Sequence, residues 1–164
     1  MLPDQRPVPS PAKGRGSVLL DATARTLIEL LQRDGRQSYA ALAQTVGLSE
    51  AAVRSRVQRL IEAGVIQIVA VTDPVQVGFA RQAMVGVRVD GDPLGPVTDL
   101  ETLPEGEYLV ITAGSFDLLV EVVCEDDEHL LDLISRIRRL PGVTSTETFL
   151  YLRLHRQRYD WGTR

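Results

Sequence analysis

The 164-residue chain has one cysteine, two histidines and no long apolar run, and each shortage excludes something. Cys124 alone cannot form an internal disulfide, which fits a reducing cytoplasm. It ends the run LLVEVVC, so it reads as a small core or strand-end residue. His129 and His155 give no paired metal-ligand spacing, and there is no G-x-G-x-x-G or P-loop lysine. No catalytic residue, metal or cofactor is therefore expected. No stretch approaches the roughly 20 apolar residues that a membrane span needs, so no membrane partner is expected either. Prolines 3, 7, 9 and 11 and glycines 14 and 16 crowd the N-terminus, which lacks an apolar h-region. It reads as a flexible tail rather than a signal peptide.

Charge is present but unevenly placed. The net −4 divides into +3 over residues 1–70 and −7 over residues 71–164. A basic front half and an acidic back half imply a division of labour, with nucleic acid meeting the front.

The run 39–58, YAALAQTVGLSEAAVRSRVQ, has the spacing of a helix-turn-helix. Ala43 falls where the first helix must pass close to the second. Gly47 can take the positive φ of a sharp turn, and Val53 supplies the apolar contact that locks the two helices. Ser49 can cap the second helix. Val53, Val57, Leu60 and Ile61 form its buried stripe, and Ala51, Ser55 and Gln58 its outer arc, flanked by Arg54, Arg56 and Arg59. Such a helix is shaped to lie in a groove of DNA. The candidate DNA-binding residues are Ser49, Ala51, Arg54, Ser55, Arg56, Gln58 and Arg59. Arg54 and Arg56 can reach phosphates, while only Gln58 and Arg59 are obvious readers of base edges. Arg56 has a second reading, as one half of an ion pair inside the domain.

The pattern changes near residue 65. Asp21 is a plausible N-cap for a helix through Leu27, Ile28, Leu30 and Leu31, and Gly64 closes the recognition helix. Val65–Val71 is β-branched and apolar and reads as a strand leaving the head. Beyond Asp73-Pro74 the expected elements are a strand at 83–89, a helix through Val97, Leu100 and Leu103, and a strand pair, 108–112 and 118–124, around the turn 113–117. A helix capped by Asp126 and a strand from 143 to about 154 complete the set. The order is β-α-β-β-α-β, a ferredoxin-like split unit. The fold class is α+β, a winged helix-turn-helix head followed by a ferredoxin-like βαββαβ domain. The expected divisions are a tail 1–17, a DNA-binding domain 18–64, a strand linker 65–80, an effector and oligomerisation domain 81–155 and a C-terminal tail 156–164. That last tail mixes basic and aromatic residues, and packing at an oligomer interface with Trp161 as anchor is the favoured reading.

Leu20-Asp21, GRQSYAALAQTVGLS at 35–49, Val53, Arg56, Arg59, Leu60, GVI at 64–66, Asp73-Pro74, Gly78, GSFD at 114–117 and LPGVTSTET at 140–148 form an ordered set. Across residues 19–155 this set resembles the leucine-responsive regulatory protein/AsnC (feast/famine) family of transcription regulators. The resemblance implies a cytoplasmic, non-enzymatic DNA-binding transcription regulator responsive to an amino acid or related small metabolite, which forms a homodimer through its C-terminal sheets, and often an octamer, a tetramer of dimers. It implies partners of double-stranded DNA and an amino-acid or related small-molecule effector. Carried over, the effector-binding candidates are Gly114, Ser115, Asp117, Thr146 and Thr148. Asp117 could instead cap its own backbone in a tight hairpin loop. Ala113, Ser115, Leu118 and Gly106 depart from the residues most frequent in the family, which bears on effector identity. Two other functions share this architecture. One is a nucleoid-associated architectural protein. The other is a haem-pathway decarboxylase, whose histidine cluster has no counterpart here.

Overall fold

A computed structural model of the chain describes residues 20–164, so the expected tail 1–17 lies outside the described residues. The chain divides into two compact units, one running to Ala70 and taking in Gln157–Arg164, the other spanning Val71–Arg156. No helix among the described residues is long and apolar enough to cross a membrane.

In the first unit three helices follow one another: α1 (Ala22–Arg33), α2 (Tyr39–Val46) and α3 (Glu50–Glu62). Each begins where a side-chain oxygen satisfies an orphan N–H. Asp21 Oδ1 accepts from Ala24 at 2.7 Å, Ser38 Oγ from Ala41 at 3.2 Å and Ser49 Oγ from Ala52 at 3.2 Å. Gly47 takes φ 69° and ends α2, its N–H and that of Leu48 turning back to the Ala43 carbonyl. Leu27, Leu42, Ala43, Val53 and Val57 close the core between the helices.

The run Val65–Val71, expected as a strand, is not one. It carries no ladder pairing, and Ile68, Val69 and Val71 are exposed. Among the described residues it finds no partner strand. A short 3₁₀ turn, Val75–Val77, follows.

The second unit has the expected order: β1 (Arg81–Val89), α4 (Leu94–Leu100), β2 (Gly106–Ile111), β3 (Leu118–Cys124), α5 (Asp127–Arg138) and β4 (Val143–Leu150). The strands form one antiparallel sheet in the order β2-β3-β1-β4. Alternate residues Ala83, Val85 and Val87 of β1 and Leu118, Val120, Val122 and Cys124 of β3 pack with Leu100, Leu130, Leu133 and Ile137. Burial pushes the Cys124 thiol up to about 11, so it behaves as a small core residue. Strand β4 ends at Leu150 rather than near 154, because its partner β1 runs out. Leu150 pairs with Ala83, and the Tyr151 N–H makes a last bond to the Gln82 carbonyl at 2.9 Å.

One charged side chain is buried in this unit. Glu105, 7% exposed, accepts from Arg136 Nη1 at 2.7 Å and lies 3.1 Å from His129 Nε2. His129 Nδ1 accepts the Glu125 N–H at 3.3 Å, so in the neutral ring Nε2 carries the proton and donates to Glu105. Burial alone would raise the Glu105 pKa. The bonds from Arg136 and His129, helped by its own backbone N–H and the Arg136 charge, outweigh burial and hold it below the ordinary 4.5. A depressed carboxyl contributes stability that is complete above its unfolded-state pKa and is lost as pH falls through the lower folded-state value. Glu105→Gln is therefore expected to flatten the acid limb of the stability curve below about pH 4.5, measured by thermal melts across pH. Glu105→Ala should cost on the order of 3 kcal/mol at neutral pH, since it strands a guanidinium at a partly buried site.

Candidate functional site

The outer arc of α3 is open. Ala51, Arg54, Ser55, Gln58 and Arg59 are exposed, opposite buried Val53, Val57 and Leu60. Ser49 spends its hydroxyl on capping the helix. The three arginines are held differently. Arg54 lies over the Tyr39 ring, 4.9 Å from its centroid, and pairs with Glu50 one turn back at 2.9 Å. Its side chain is still 63% exposed, so the contacts aim the guanidinium without hiding it. Arg59 Nε donates to the Ser55 carbonyl at 3.4 Å, and Gln58 Nε2 to Glu62 Oε1 at 3.0 Å.

Arg56 is turned away from the arc. Its Nη1 donates to Asp21 Oδ2 at 2.7 Å, and its side chain is only 33% exposed. The ion-pair reading of Arg56 is the one the geometry realises. Residues 56 and 53 are three apart, so Arg56 borders the buried stripe more than the outer arc. Asp21 thus caps α1 with one oxygen and ties α1 to α3 with the other. The Ala24 N–H, then Arg56, hold its carboxyl below the usual range. Leu20, Asp21, Ala24, Arg56, Arg59, Leu60 and Ala63 line a groove of about 440 Å³ at this junction. Tyr39 was not legible as a partner of Arg54, because nothing local in the sequence joins residues fifteen apart across a turn.

In the second unit the loop 113–117 turns β2 into β3. Gly114 and Ser115 are exposed at its tip. Asp117 is fastened to β1 twice, its N–H donating to the Val87 carbonyl at 3.0 Å and its Oδ2 accepting the Val89 N–H at 2.8 Å. One carboxylate oxygen therefore does cap backbone, though that of β1 rather than its own loop. Thr112 Oγ1 donates to the Phe116 carbonyl at 2.5 Å and closes the loop.

Phe116 lays the loop over the sheet face that the helices do not cover. A Cβ on Gly86 would meet the Phe116 ring at 2.7 Å, so only glycine admits it. Arg88 stands over the ring at 5.2 Å and Phe149 meets it edge-on at 6.0 Å. This cluster was missed in the sequence, where an aromatic inside a turn gives no periodic signal.

Thr146 and Thr148 lie on the other face. Thr146 pairs with Val87 and Thr148 with Val85, both under the helices. Thr146 Oγ1 accepts from Arg138 Nε of α5 at 2.8 Å. Arg138 and Val143–Thr146 line a cavity of about 280 Å³. The five candidate residues are thus not gathered in one pocket of a single chain. The loop leans over one face of β1, and the threonines point from the other. The remaining titratable candidate for chemistry, His129, is committed to Glu105 and the Glu125 backbone.

Comparison with known proteins bears on both units. The model of the AsnC-type helix-turn-helix domain matches residues 20–61, and that of the Lrp/AsnC ligand binding domain matches residues 82–161. The HTH-type transcriptional regulator FL11 of Pyrococcus horikoshii is 30% identical over 85% of this chain and 94% of its own length. The solved feast or famine regulatory protein from M. tuberculosis complexed with L-methionine shares 32% identity and a TM-score of 0.77, over 84% of this chain and 95% of that one. The E. coli AsnC structure shares 27% identity and a TM-score of 0.74, over 87% and 98%.

The Gly86 contact makes a structural expectation. Gly86→Ala should push Phe116 off the sheet and destabilise the protein by about 1–3 kcal/mol, the usual cost of overpacking, read as a lower melting temperature. With Phe116→Ala already in place, Gly86→Ala should cost little more, because the added methyl then meets no ring.

Proposed function

The chain belongs to the Lrp/AsnC family of transcription regulators, and we propose that it answers to an amino acid through a site completed by a second subunit. It is a DNA-binding transcription regulator whose second unit is a ligand-binding domain. The finer reading begins with α3, whose outer arc enters the major groove while Arg54 and Arg59 take phosphates and Gln58 and Arg59 reach base edges. The observation that carries it is Arg54, stacked on Tyr39 yet open to solvent. Arg56 acts behind them, setting α3 against α1 through Asp21.

The effector is an amino acid or a close relative. Its support is the similarity to a regulator solved with L-methionine and a loop whose tip leaves Gly114 and Ser115 exposed. Because β1 keeps the loop and the threonines on opposite faces, the loop of one subunit and the threonines of another would together make the site. The assembly is a dimer through the open sheet face, where Met84, Phe116, Tyr108 and Phe149 gather, with dimers joining into larger rings. A cytoplasmic location goes with it, since that is where the DNA is. The relatives are transcription regulators, and an architectural role that coats DNA is the second reading. It is favoured by the small side chains of Ala51 and Ser55, and genome-wide occupancy separates broad coverage from a few sharp sites.

Two measurements test the proposal. Arg54→Ala is expected to weaken binding to every duplex and to lower the slope of log affinity against log salt by about 1, with the melting temperature unchanged. An unaltered slope would mean that Arg54 does not touch phosphate. Isothermal titration with the common amino acids should give heat with at least one of them. Silence from all would sink the amino-acid reading.

A further inference from the structure

The C-terminal segment does not end where β4 ends. The Gly162 N–H donates to Gln32 Oε1 at 3.1 Å, and Gln32 Nε2 donates back to the Gly162 carbonyl at 3.5 Å. One residue on, Thr163 Oγ1 donates to Glu29 Oε1 at 2.7 Å. Glu29 and Gln32 are one turn apart on α1, off the side that buries Ala24, Leu27 and Ile28. Gly162 has φ 78°, a conformation that L side chains rarely adopt, and this turns its two backbone groups toward the amide. Within residues 157–160 Arg158 pairs with Asp160 at 2.7 Å and Gln157 donates to Tyr159 at 2.5 Å. Trp161 is 81% exposed, so within the chain the attachment is made by Gly162 and Thr163.

The polypeptide therefore passes between its two units twice, once after Ala70 and again after Arg156. We propose that residues 157–164 are a second tether, clipped to α1, which restrains the DNA-binding head so that a dimer offers its two heads to DNA already oriented. The clip sits on α1, so it leaves the outer arc of α3 free. A head held at both ends loses less orientational freedom when two heads engage one duplex, and that saving appears as affinity. The role in binding rests on the dimer proposed above; the clip itself does not.

The only tryptophan in the chain lies next to the clip, so its fluorescence reports docking in the full-length protein. Gln32→Ala removes the side-chain half of the clamp at no cost to helix propensity. Gly162→Val disfavours the backbone half. Both should lower Trp161 fluorescence anisotropy. Both should also weaken binding to a duplex of about 60 base pairs, long enough for two heads, by roughly 3- to 10-fold, and leave a duplex of about 15 base pairs unaffected. Unchanged anisotropy would overturn the clip. Lower anisotropy with unchanged long-duplex affinity, or an equal loss on both duplexes, would overturn its action as a tether. Sedimentation of the wild type separates the two proposals: a monomer would remove the pre-orienting role and the dimer together, while Trp161 still judges the clip.

Discussion

Strand β1 lies between β3 and β4, and the alternation of its side chains decides what each half of the ligand-binding unit can meet. Val85 and Val87 point into the helices and carry Thr148 and Thr146 with them on β4. Gly86 points the opposite way and accepts the Phe116 ring, which draws the loop 113–117 onto the open face. Asp117 then fixes the loop to the β1 backbone at Val87 and Val89. A side-chain period of two leaves no way for the loop and the threonines to share a pocket within one subunit. A site that uses both the loop and the threonines, as proposed, would therefore draw them from two subunits.

The head shows how similar residues take different work from small differences in angle. Arg54 and Arg56 are two positions apart on α3, so about 200° separates them around the helix axis. Arg54 faces out, and Tyr39 with Glu50 steadies it there. Arg56 faces Asp21, which already caps α1, so one carboxylate links a helix start to the recognition helix. Exposed ion pairs of this sort add little stability. Their value lies in setting direction, and direction is what a phosphate contact needs.

Local features were legible in the sequence, and features that depend on a distant partner were not. Asp21, Ser49 and Asp126 cap the helices their positions announced, because capping is settled within one turn. Gly47 and Gly64 take the positive φ expected of helix-ending glycines. The βαββαβ order was readable because each strand carries its own apolar alternation. Val65–Val71 has strand composition but pairs with no strand among the described residues, so composition alone misjudged it. Strand β4 was read too long for a related reason: its length is set by where β1 begins, which Leu152 and Leu154 cannot announce. The docking of Gly162 on Gln32 joins residues 130 apart and involves no apolar pattern, so no reading along the chain could have found it.

The uneven charge of the chain limits how a ligand can act. The front half carries +3 and the back half −7, so attraction to phosphate is concentrated in the front half of the chain. A zwitterionic effector of the kind proposed brings no net charge and leaves that electrostatic attraction as it was. Nor can it change direct readout, since it sits in the other unit, and a good base-edge pair is worth only about 1–3 kcal/mol. What it can change is the relative stability of two arrangements of the subunits, by as much as its affinity for them differs. The small side chains of Ala51 and Ser55 offer few base-edge hydrogen bonds, so in the proposed docking the occupancy of a site would depend steeply on how many heads engage together. For a ligand that acts as proposed, control of DNA binding would pass through the placement of the heads rather than through α3 itself.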